Sequence, residues 1–218
     1  SEPDALVASV SVSDVSCNGG DDGSAELTVT GGTAPYTTED LTELTAGTYT
    51  TTITDANGCE TSVEFTISEP DALSASVSVS DVSCNGEDDG SAELTVIGGT
   101  PPYSTENLTE LTAGTYTTTV IDSNGCETLV DFTVSEPDQL EYSITITDPI
   151  CNGDSGSVQV TASGGTPPYT TLGSADFLAG TYNSQVSDAN GCVTIFEFTV
   201  SEPDALVASV SVSDVSCN

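Results

Sequence analysis

Seven cysteines offer the clearest chemistry in this 218-residue chain, and they occupy two short motifs that recur along it. One motif reads Cys-Asn-Gly and the other reads Asn-Gly-Cys. The chain contains no His and no Cys-x-x-Cys, so it lacks the ligands that a structural zinc site needs. Paired cysteines of this kind are typical of disulfides in an oxidising, extracellular compartment. They are Cys17, Cys59, Cys84, Cys126, Cys151, Cys192 and Cys217.

Carboxylates are the other abundant reactive groups. The chain has 35 Asp and Glu and no Lys or Arg, which gives a formal charge of -35. Nucleic acids and anionic membranes are bound through Lys and Arg, so we expect no nucleic-acid partner and no direct membrane insertion. Without His or Lys, a catalytic Ser-His or Ser-Lys pair cannot exist. Glu39, Asp40 and Glu43 could form a carboxylate pair, but a small repeat offers little room for a concave catalytic site. We therefore predict a protein that is not an enzyme.

Acidic turns raise the hypothesis of bound calcium, because hard oxygen ligands gather there without a competing cation. They are not EF-hands, since twelve positions counted from Asp122 end at Thr133, where a bidentate Glu would be required. The other interpretation is that Asp-Gly and Asn-Gly only form tight turns. The candidate ligands are Asp21, Asp22, Asp71, Asp88, Asp89 and Asp122.

The chain that carries these residues is repetitive. Ser-Glu-Pro-Asp begins at Ser1, Ser68, Ser135 and Ser201, once every 66 or 67 residues. We predict four segments: repeats at 1–67, 68–134 and 135–200, and the first strand of a fourth repeat at 201–218. The last segment copies the start of the chain letter for letter, so we expect this sequence to be a stretch of a longer array.

Alternating apolar and polar residues predict short β-strands in each repeat. Gly, Asn and Asp turns separate them, and no helical stripe of useful length occurs. This pattern favours an all-β fold made of tandem β-sandwiches. In the first repeat the inward positions are Ala8, Val10 and Val12 in strand A; Ala25, Leu27 and Val29 in strand B; Tyr49, Thr51 and Ile53 in strand F; and Val63, Phe65 and Ile67 in strand G.

A tyrosine near the start of strand F resembles the tyrosine corner of Greek-key sandwiches, in which the hydroxyl bonds back to the backbone. We predict this structural role, in preference to sugar binding, for Tyr49, Tyr116 and Tyr182.

In the first repeat, CNGGDDGSAELTVTGGTAPY, LTAGTYTTTITDANGC and SEP follow one another. This ordered combination resembles the repeats of SprB-type gliding adhesins, which occur in giant cell-surface proteins of Bacteroidetes. The resemblance implies an immunoglobulin-like fold, type IX secretion, gliding motility and a place in a long adhesive fibre. That family usually continues Pro-Tyr with a segment containing Trp-Ser-x-Gly. Here Pro35-Tyr36 runs into Thr-Thr-Glu-Asp-Leu, so strand C is not assigned.

The resemblance bears on the disulfide pattern. Sequence proximity suggests closure within each repeat, Cys17 with Cys59, for example. In an immunoglobulin-like order, however, strand directions put these two cysteines at opposite ends of a repeat, roughly 26 Å apart for a strand of about 8 residues. A disulfide tolerates a Cα separation of only about 4.4 to 6.8 Å. Pairing between successive repeats is therefore favoured, with within-repeat pairing as the alternative. The favoured bonds are Cys17 to Cys126 and Cys84 to Cys192. The partners of Cys59, Cys151 and Cys217 would then lie beyond this stretch of sequence.

These features predict a non-enzymatic stalk or filament on the cell surface or in a secreted fibre, elongated as a rod and stiffened by disulfides. Its partners would be other copies of the repeat in the same chain and neighbouring fibre chains, since edge strands rich in Val and Thr can pair with another sheet. The alternative is a carbohydrate- or surface-binding adhesin module, with or without calcium. Its binding loops would contain Tyr36, Tyr103 and Tyr169.

Overall fold

A computed structural model gives the structure of the chain and describes residues 4–214. Within these residues all regular secondary structure is β-strand, which confirms the predicted all-β class. Cys217 lies outside them. The strands are β1 (Val7–Ser13), β2 (Ser24–Thr30), β3 (Gly47–Thr54), β4 (Glu60–Ile67), β5 (Ser74–Ser80), β6 (Ser91–Ile97), β7 (Gly114–Ile121), β8 (Glu127–Val134), β9 (Glu141–Thr147), β10 (Gly156–Ser163), β11 (Ser174–Phe177), β12 (Gly180–Ser187) and β13 (Val193–Val200).

The chain divides into two compact units. The first comprises Ser1–Val79, Ala92–Leu108 and Thr115–Thr133. The second comprises Ser80–Ser91, Thr109–Gly114 and Val134–Asn218. The predicted boundaries of the sequence repeats stay a prediction.

In the first unit, β1 pairs antiparallel with β2, and β3 pairs antiparallel with β4. Strand β1 packs against β4, so the two small sheets form a sandwich. The alternation seen in the sequence places every second residue between the sheets. Strands β5 with β6 and β7 with β8 repeat the two pairings one sequence repeat later. The core of the first sandwich is formed by Val15, Leu41, Phe65 and Ile67, with Val10, Leu27 and Tyr49 packed against them.

The second unit contains a three-stranded sheet in the order β11-β10-β9 and a two-stranded sheet of β12 and β13. Its core is larger than that of the first sandwich. Strand β10 contributes Val158 and Val160, and β13 contributes Phe196, Phe198 and Val200. The four predicted strands of the first repeat coincide with β1 to β4. No strand lies between β2 and β3, whereas β11 occupies the corresponding place in the third repeat.

Residues 201–214 form no strand and are exposed throughout. The same letters form β1 near the start of the chain, where β2 is available as a partner. A lone strand cannot satisfy its backbone donors and acceptors, so the partner and not the local sequence decides whether the strand forms.

Candidate functional site

Two disulfides define the candidate site. Cys17 is bonded to Cys126, and Cys84 is bonded to Cys192, with a Cα–Cα distance of 5.7 Å in each. Each bond joins the Cys-Asn-Gly loop of one sequence repeat to the Asn-Gly-Cys turn of the next. This is the pairing between successive repeats that the sequence favoured.

We use the word junction for one such bond together with the loops and linker around it. The first junction lies in the first unit and comprises residues 14–19, 68–70 and 122–126. The second lies in the second unit and comprises residues 81–86, 135–137 and 188–192. The two have the same sequence except that Ser123 of the first is replaced by Ala189 in the second, so one description serves both.

A buried aspartate shapes the Asn-Gly-Cys turn. One oxygen of Asp122 accepts the N–H groups of Asn124 and Cys126, both at 2.9 Å, and the other accepts the N–H of Thr100 at 2.8 Å. Asp122 is only 5% exposed. Because the chain has no cationic side chain, backbone N–H groups are the donors that can satisfy a buried charge here. Asp122 therefore fixes the turn that presents Cys126.

The same clasp occurs at Asp55 and Asp188. The pKa of Asp55 is lowered by the N–H groups of Cys59 and Thr33, and the pKa of Asp188 by the N–H of Thr166, despite burial. For Asp122, burial raises the pKa, but its N–H donors outweigh that effect and leave the pKa below its ordinary value. All three clasps hold a carboxylate that is ionised at neutral pH.

A glycine makes room for each clasp. Gly99 has a φ of +58°, and a Cβ at this position would lie 2.8 Å from the Asp122 carboxylate. In the third repeat a Cβ at Gly165 would lie 2.6 Å from the Asp188 carboxylate. The positive φ and the lack of space for a Cβ explain why a glycine directly precedes the bonded Thr in each repeat.

An asparagine side chain in the turn forms a hydrogen bond to the preceding repeat. Asn124 Nδ2 donates to the Ser16 carbonyl oxygen at 2.9 Å and to Thr100 Oγ1 at 3.2 Å. In the second junction, Asn190 Nδ2 donates to the Ser83 carbonyl oxygen, also at 2.9 Å. Each disulfide thus has a hydrogen bond beside it that joins the same two loops.

The Ser-Glu-Pro linker is also held at each junction. Val15 N–H donates to the Ser68 carbonyl, and Ser68 N–H donates to the Asp14 carboxylate. Asn18 Nδ2 donates to the Pro70 carbonyl at 3.1 Å. The same bonds join Val82, Asp81 and Asn85 to Ser135 and Pro137 in the second junction. The linker is therefore fixed at several points against the loop that contains the first cysteine.

The glutamate of the linker accepts a backbone hydrogen bond from the glycine of Cys-Asn-Gly. Gly86 N–H donates to Glu136 at 2.6 Å, and Gly153 N–H donates to Glu202 at 2.7 Å. Gly86 has a φ of +83° and Gly153 a φ of +86°, a left-handed conformation that favours glycine at the tip of this loop.

Three segments match the model of the SprB repeat family, at residues 9–37, 76–104 and 143–170. These three segments are similar to SprB repeats. Each match runs from the first strand of a repeat through the Cys-Asn-Gly loop and into the Pro-Tyr loop, so the three matches contain Cys17, Cys84 and Cys151 in turn. The Asn-Gly-Cys turns lie outside the matched segments. No curated protein matches the chain.

SprB repeats are structural repeats of cell-surface proteins and are not a known enzyme family. Among residues 4–214, the structure contains no helix with the length and apolar character needed to cross a membrane.

Some of the candidate calcium ligands already form hydrogen bonds within the protein. Asp22 and Asp89 each accept the N–H of the serine before a junction cysteine, at 2.9 Å. The serine hydroxyl first and then its N–H lower the pKa of either carboxyl. Asp122 forms the clasp described above. Within the described residues, no three carboxylates or thiols lie close enough together to hold a metal ion. Calcium binding by these aspartates, and by the other candidates Asp21, Asp71 and Asp88, stays a prediction.

The predicted corner tyrosines bond and stack within their own repeats. Tyr49 Oη donates to the Thr45 carbonyl, and Tyr182 Oη donates to the Leu178 carbonyl, both at 2.9 Å. Their rings stack on phenylalanines of the neighbouring strand, as does the ring of Tyr116 on Phe132 with centroids 5.5 Å apart.

The tyrosines of the alternative binding loops are tied back as well. Tyr36 donates to the Gly31 carbonyl at 2.6 Å, and Tyr169 donates to the Gly164 carbonyl at 2.6 Å. Tyr103 donates to the Gly98 carbonyl and is 36% exposed, the most open of the three. Each hydroxyl is therefore used to close its own loop.

Proposed function

We propose that the chain is a non-enzymatic, load-bearing segment of an extracellular surface stalk, in which disulfides bond each repeat to the next. One observation carries the proposal: the bonds join successive repeats, and the Ser-Glu-Pro linker is hydrogen-bonded to the same loops. Pairing within each repeat would stabilise the repeat but leave the linker free to bend. Pairing across the linker restrains the connection itself.

The negative charge of the chain explains why a disulfide between repeats is useful. With a formal charge of -35 and no cationic side chain, neighbouring repeats repel each other at low ionic strength. An exposed hydrogen bond in water contributes about 1 kcal/mol. A disulfide that closes a loop of 109 residues contributes about 4.8 kcal/mol in the chain-entropy model and is uncharged. The bond therefore stabilises the contact where electrostatics opposes it.

A distance measurement across the first junction tests the proposal. Two dyes are placed on exposed side chains in the first unit, Thr50 on β3 and Leu129 on β8, through unnatural amino acids so that no thiol is used. Single-molecule energy transfer should report one narrow distance for the oxidised chain. The distribution should broaden in Cys17→Ser or Cys126→Ser, since the linker then bends more freely. A Cys59→Ser chain is the matched control and should keep the narrow distance. An equally broad distribution in the oxidised parent would contradict the stalk.

The same chains can be screened against glycans for the adhesin alternative. Binding that a Tyr103→Ala substitution abolishes, with the dye distance unchanged, would support a carbohydrate-binding module over the stalk. The bonding of the three loop tyrosines to their own backbone supports the stalk.

A further inference from the structure

The third repeat departs from the other two at three positions in and just before β9. Small or apolar residues of the first two repeats are replaced there by an amide, a carboxylate and a phenol. The residues are Ala5, Val7 and Ala8 in the first repeat, Ala72, Ser74 and Ala75 in the second, and Gln139, Glu141 and Tyr142 in the third. All three of the larger side chains line one groove.

The groove lies in the second unit, between the start of β9 and the start of β13. Its two halves measure about 310 and 380 Å³ and share Gln139, Leu140 and Thr194. Thr194 Oγ1 donates to the Leu140 carbonyl at 2.8 Å, which holds the two strands together at this point. Cys84 and Glu87 of the preceding repeat form part of the rim. The groove is therefore open even though the repeat that borders it is in place.

Tyr142 contributes an aromatic ring to the groove. The ring is stacked on Phe196, with centroids 4.1 Å apart and planes at 14°, and the residue is 39% exposed. Because Phe196 covers one face, the exposed surface of the ring is its edge and its other face. The residues at these two positions are Ala8 and Val63 in the first repeat and Ala75 and Val130 in the second. The stacked pair thus belongs to the third repeat.

The polar groups of the groove are not used within the protein. Among residues 4–214, the Tyr142 hydroxyl, the Gln139 amide and the Glu141 carboxylate form no hydrogen bond. Five other tyrosine hydroxyls donate to backbone carbonyls of their own repeats: Tyr36, Tyr49, Tyr103, Tyr169 and Tyr182. The structural role of those tyrosines does not account for Tyr142.

The chemistry of the three free groups decides which ligand they fit. An amide and a phenol each donate and accept hydrogen bonds, and an ionised carboxylate accepts. An anionic ligand would offer acceptors alone and would be repelled by a chain with a formal charge of -35. An ammonium group would offer donors alone and leave the amide N–H groups unmatched. A neutral sugar has hydroxyls that donate and accept, and an apolar C–H face that packs on an aromatic ring.

We propose that this groove binds a neutral sugar ring of a polysaccharide, with the sugar stacked on Tyr142 and hydrogen-bonded by Gln139 and Glu141. The groove is open along its length, so a sugar within a longer glycan can enter it. This inference goes beyond the proposed stalk, because it gives one repeat of the stalk a ligand. It leaves the disulfides and their mechanical role unchanged.

The test uses the full chain with its disulfides intact and four neutral probes: cellotriose, maltotriose, mannotriose and galactotriose. Saturation-transfer NMR with irradiation of the aromatic protons should give signal on the ring protons of at least one trisaccharide. Tyr142→Ala, which restores the residue of the other repeats, should remove that signal, whereas Tyr142→Phe should keep it. Tyr103→Ala is the matched control and should also keep it. Signal from none of the probes, or signal that persists in Tyr142→Ala, would overturn the proposal.

A second variant leaves the ring stack untouched. Gln139→Ala combined with Glu141→Ser restores two exposed residues of the second repeat and should weaken binding of the trisaccharide by about fivefold for each hydrogen bond lost. Glu197→Ser removes the same charge from an exposed position on β13 and should leave the affinity unchanged. Equal affinity in the parent and the double variant would contradict the proposal.

Charged probes separate the sugar from other ligand classes. Choline or N-acetylneuraminic acid that binds more tightly than every neutral trisaccharide would also overturn the proposal. The dye distance across the first junction is measured in the same variants, since the first unit contains neither dye position near the groove. Failure of sugar binding with a narrow dye distance rejects the groove proposal and leaves the stalk standing.

Discussion

The disulfide pattern makes a quantitative prediction about how the chain lengthens under force. The chain is held by its two ends, unfolded at constant force, and then exposed to a soluble reductant. Each disulfide that is cleaved releases the stretch of chain that it had kept out of the path between the ends. The lengths of the steps therefore report which cysteines were bonded.

With both bonds intact, the shortest covalent path crosses from Cys17 to Cys126, returns along the chain to Cys84, and crosses to Cys192. Cleaving either bond first lengthens this path by roughly 25 residues, or about 85 Å at about 3.4 Å per residue. Cleaving the second bond releases roughly 108 residues, or about 370 Å. The account predicts one short step followed by one long step, in that order, whichever bond is reduced first.

Pairing within repeats would give a different record. Bonds such as Cys17 to Cys59 would each release roughly 42 residues, or about 140 Å, in as many as three nearly equal steps. A Cys126→Ser chain should show the long step alone. Cys59→Ser is the matched control and should keep both steps. Equal steps in the parent, or a two-step record in Cys126→Ser, would refute the reasoning.

Two further predictions concern stability. Val186→Ala removes two methyl groups from a position with 0% exposure, which should cost about 2 to 3 kcal/mol in a urea titration, whereas Val193→Ala, at a half-exposed position, should cost less than about 0.5 kcal/mol. Asp188→Asn should lower the thermal midpoint at neutral pH, with exposed Asp176→Asn as the control that does not. Because the pKa of Asp188 is lowered on folding, its contribution is present above the ordinary pKa and is lost as the pH falls through the folded value. The difference in thermal midpoint between the parent and Asp188→Asn should therefore become smaller below about pH 4. A difference that stays constant with pH would contradict the stabilising role of the ionised Asp188 carboxylate.

The strands were predictable because their signal is local. Apolar residues alternate with Ser, Thr and Glu along β1 to β4, and this period is enough to place each strand. The identical letters near Val207 to Val212 show the limit of that signal, since they form no strand without a partner. Strand β11 was not predicted, because it is only four residues long.

The disulfide partners could be predicted from the sequence because strand direction determines which loops lie at the same end of a sandwich. The hydrogen bonds of the aspartate clasp could not be predicted in this way. Asn124 and Cys126 donate from within four residues of Asp122, but the third donor, Thr100, lies 22 residues away, and no local pattern brings it to Asp122. The available signal was chemical: an acidic residue in the same turn of every repeat of a chain without cations needs N–H donors.

The linker contacts were also missed. Ser-Glu-Pro reads as a short connector, since Pro fixes φ and neither Ser nor Glu has a local partner. In the structure the glutamate bonds to the glycine of a loop about fifty residues earlier. Contacts of this kind depend on the fold having already brought the loop and the linker together.

The central claim is that disulfides join successive repeats, and non-reducing peptide mapping tests it most directly. Trypsin cannot be used because the chain has no Lys or Arg, so proteases specific for Asp and Glu are required. The account predicts a cystine that joins the peptide of Cys17 to the peptide of Cys126, and a second that joins Cys84 to Cys192. A cystine that joins Cys17 to Cys59 would contradict it.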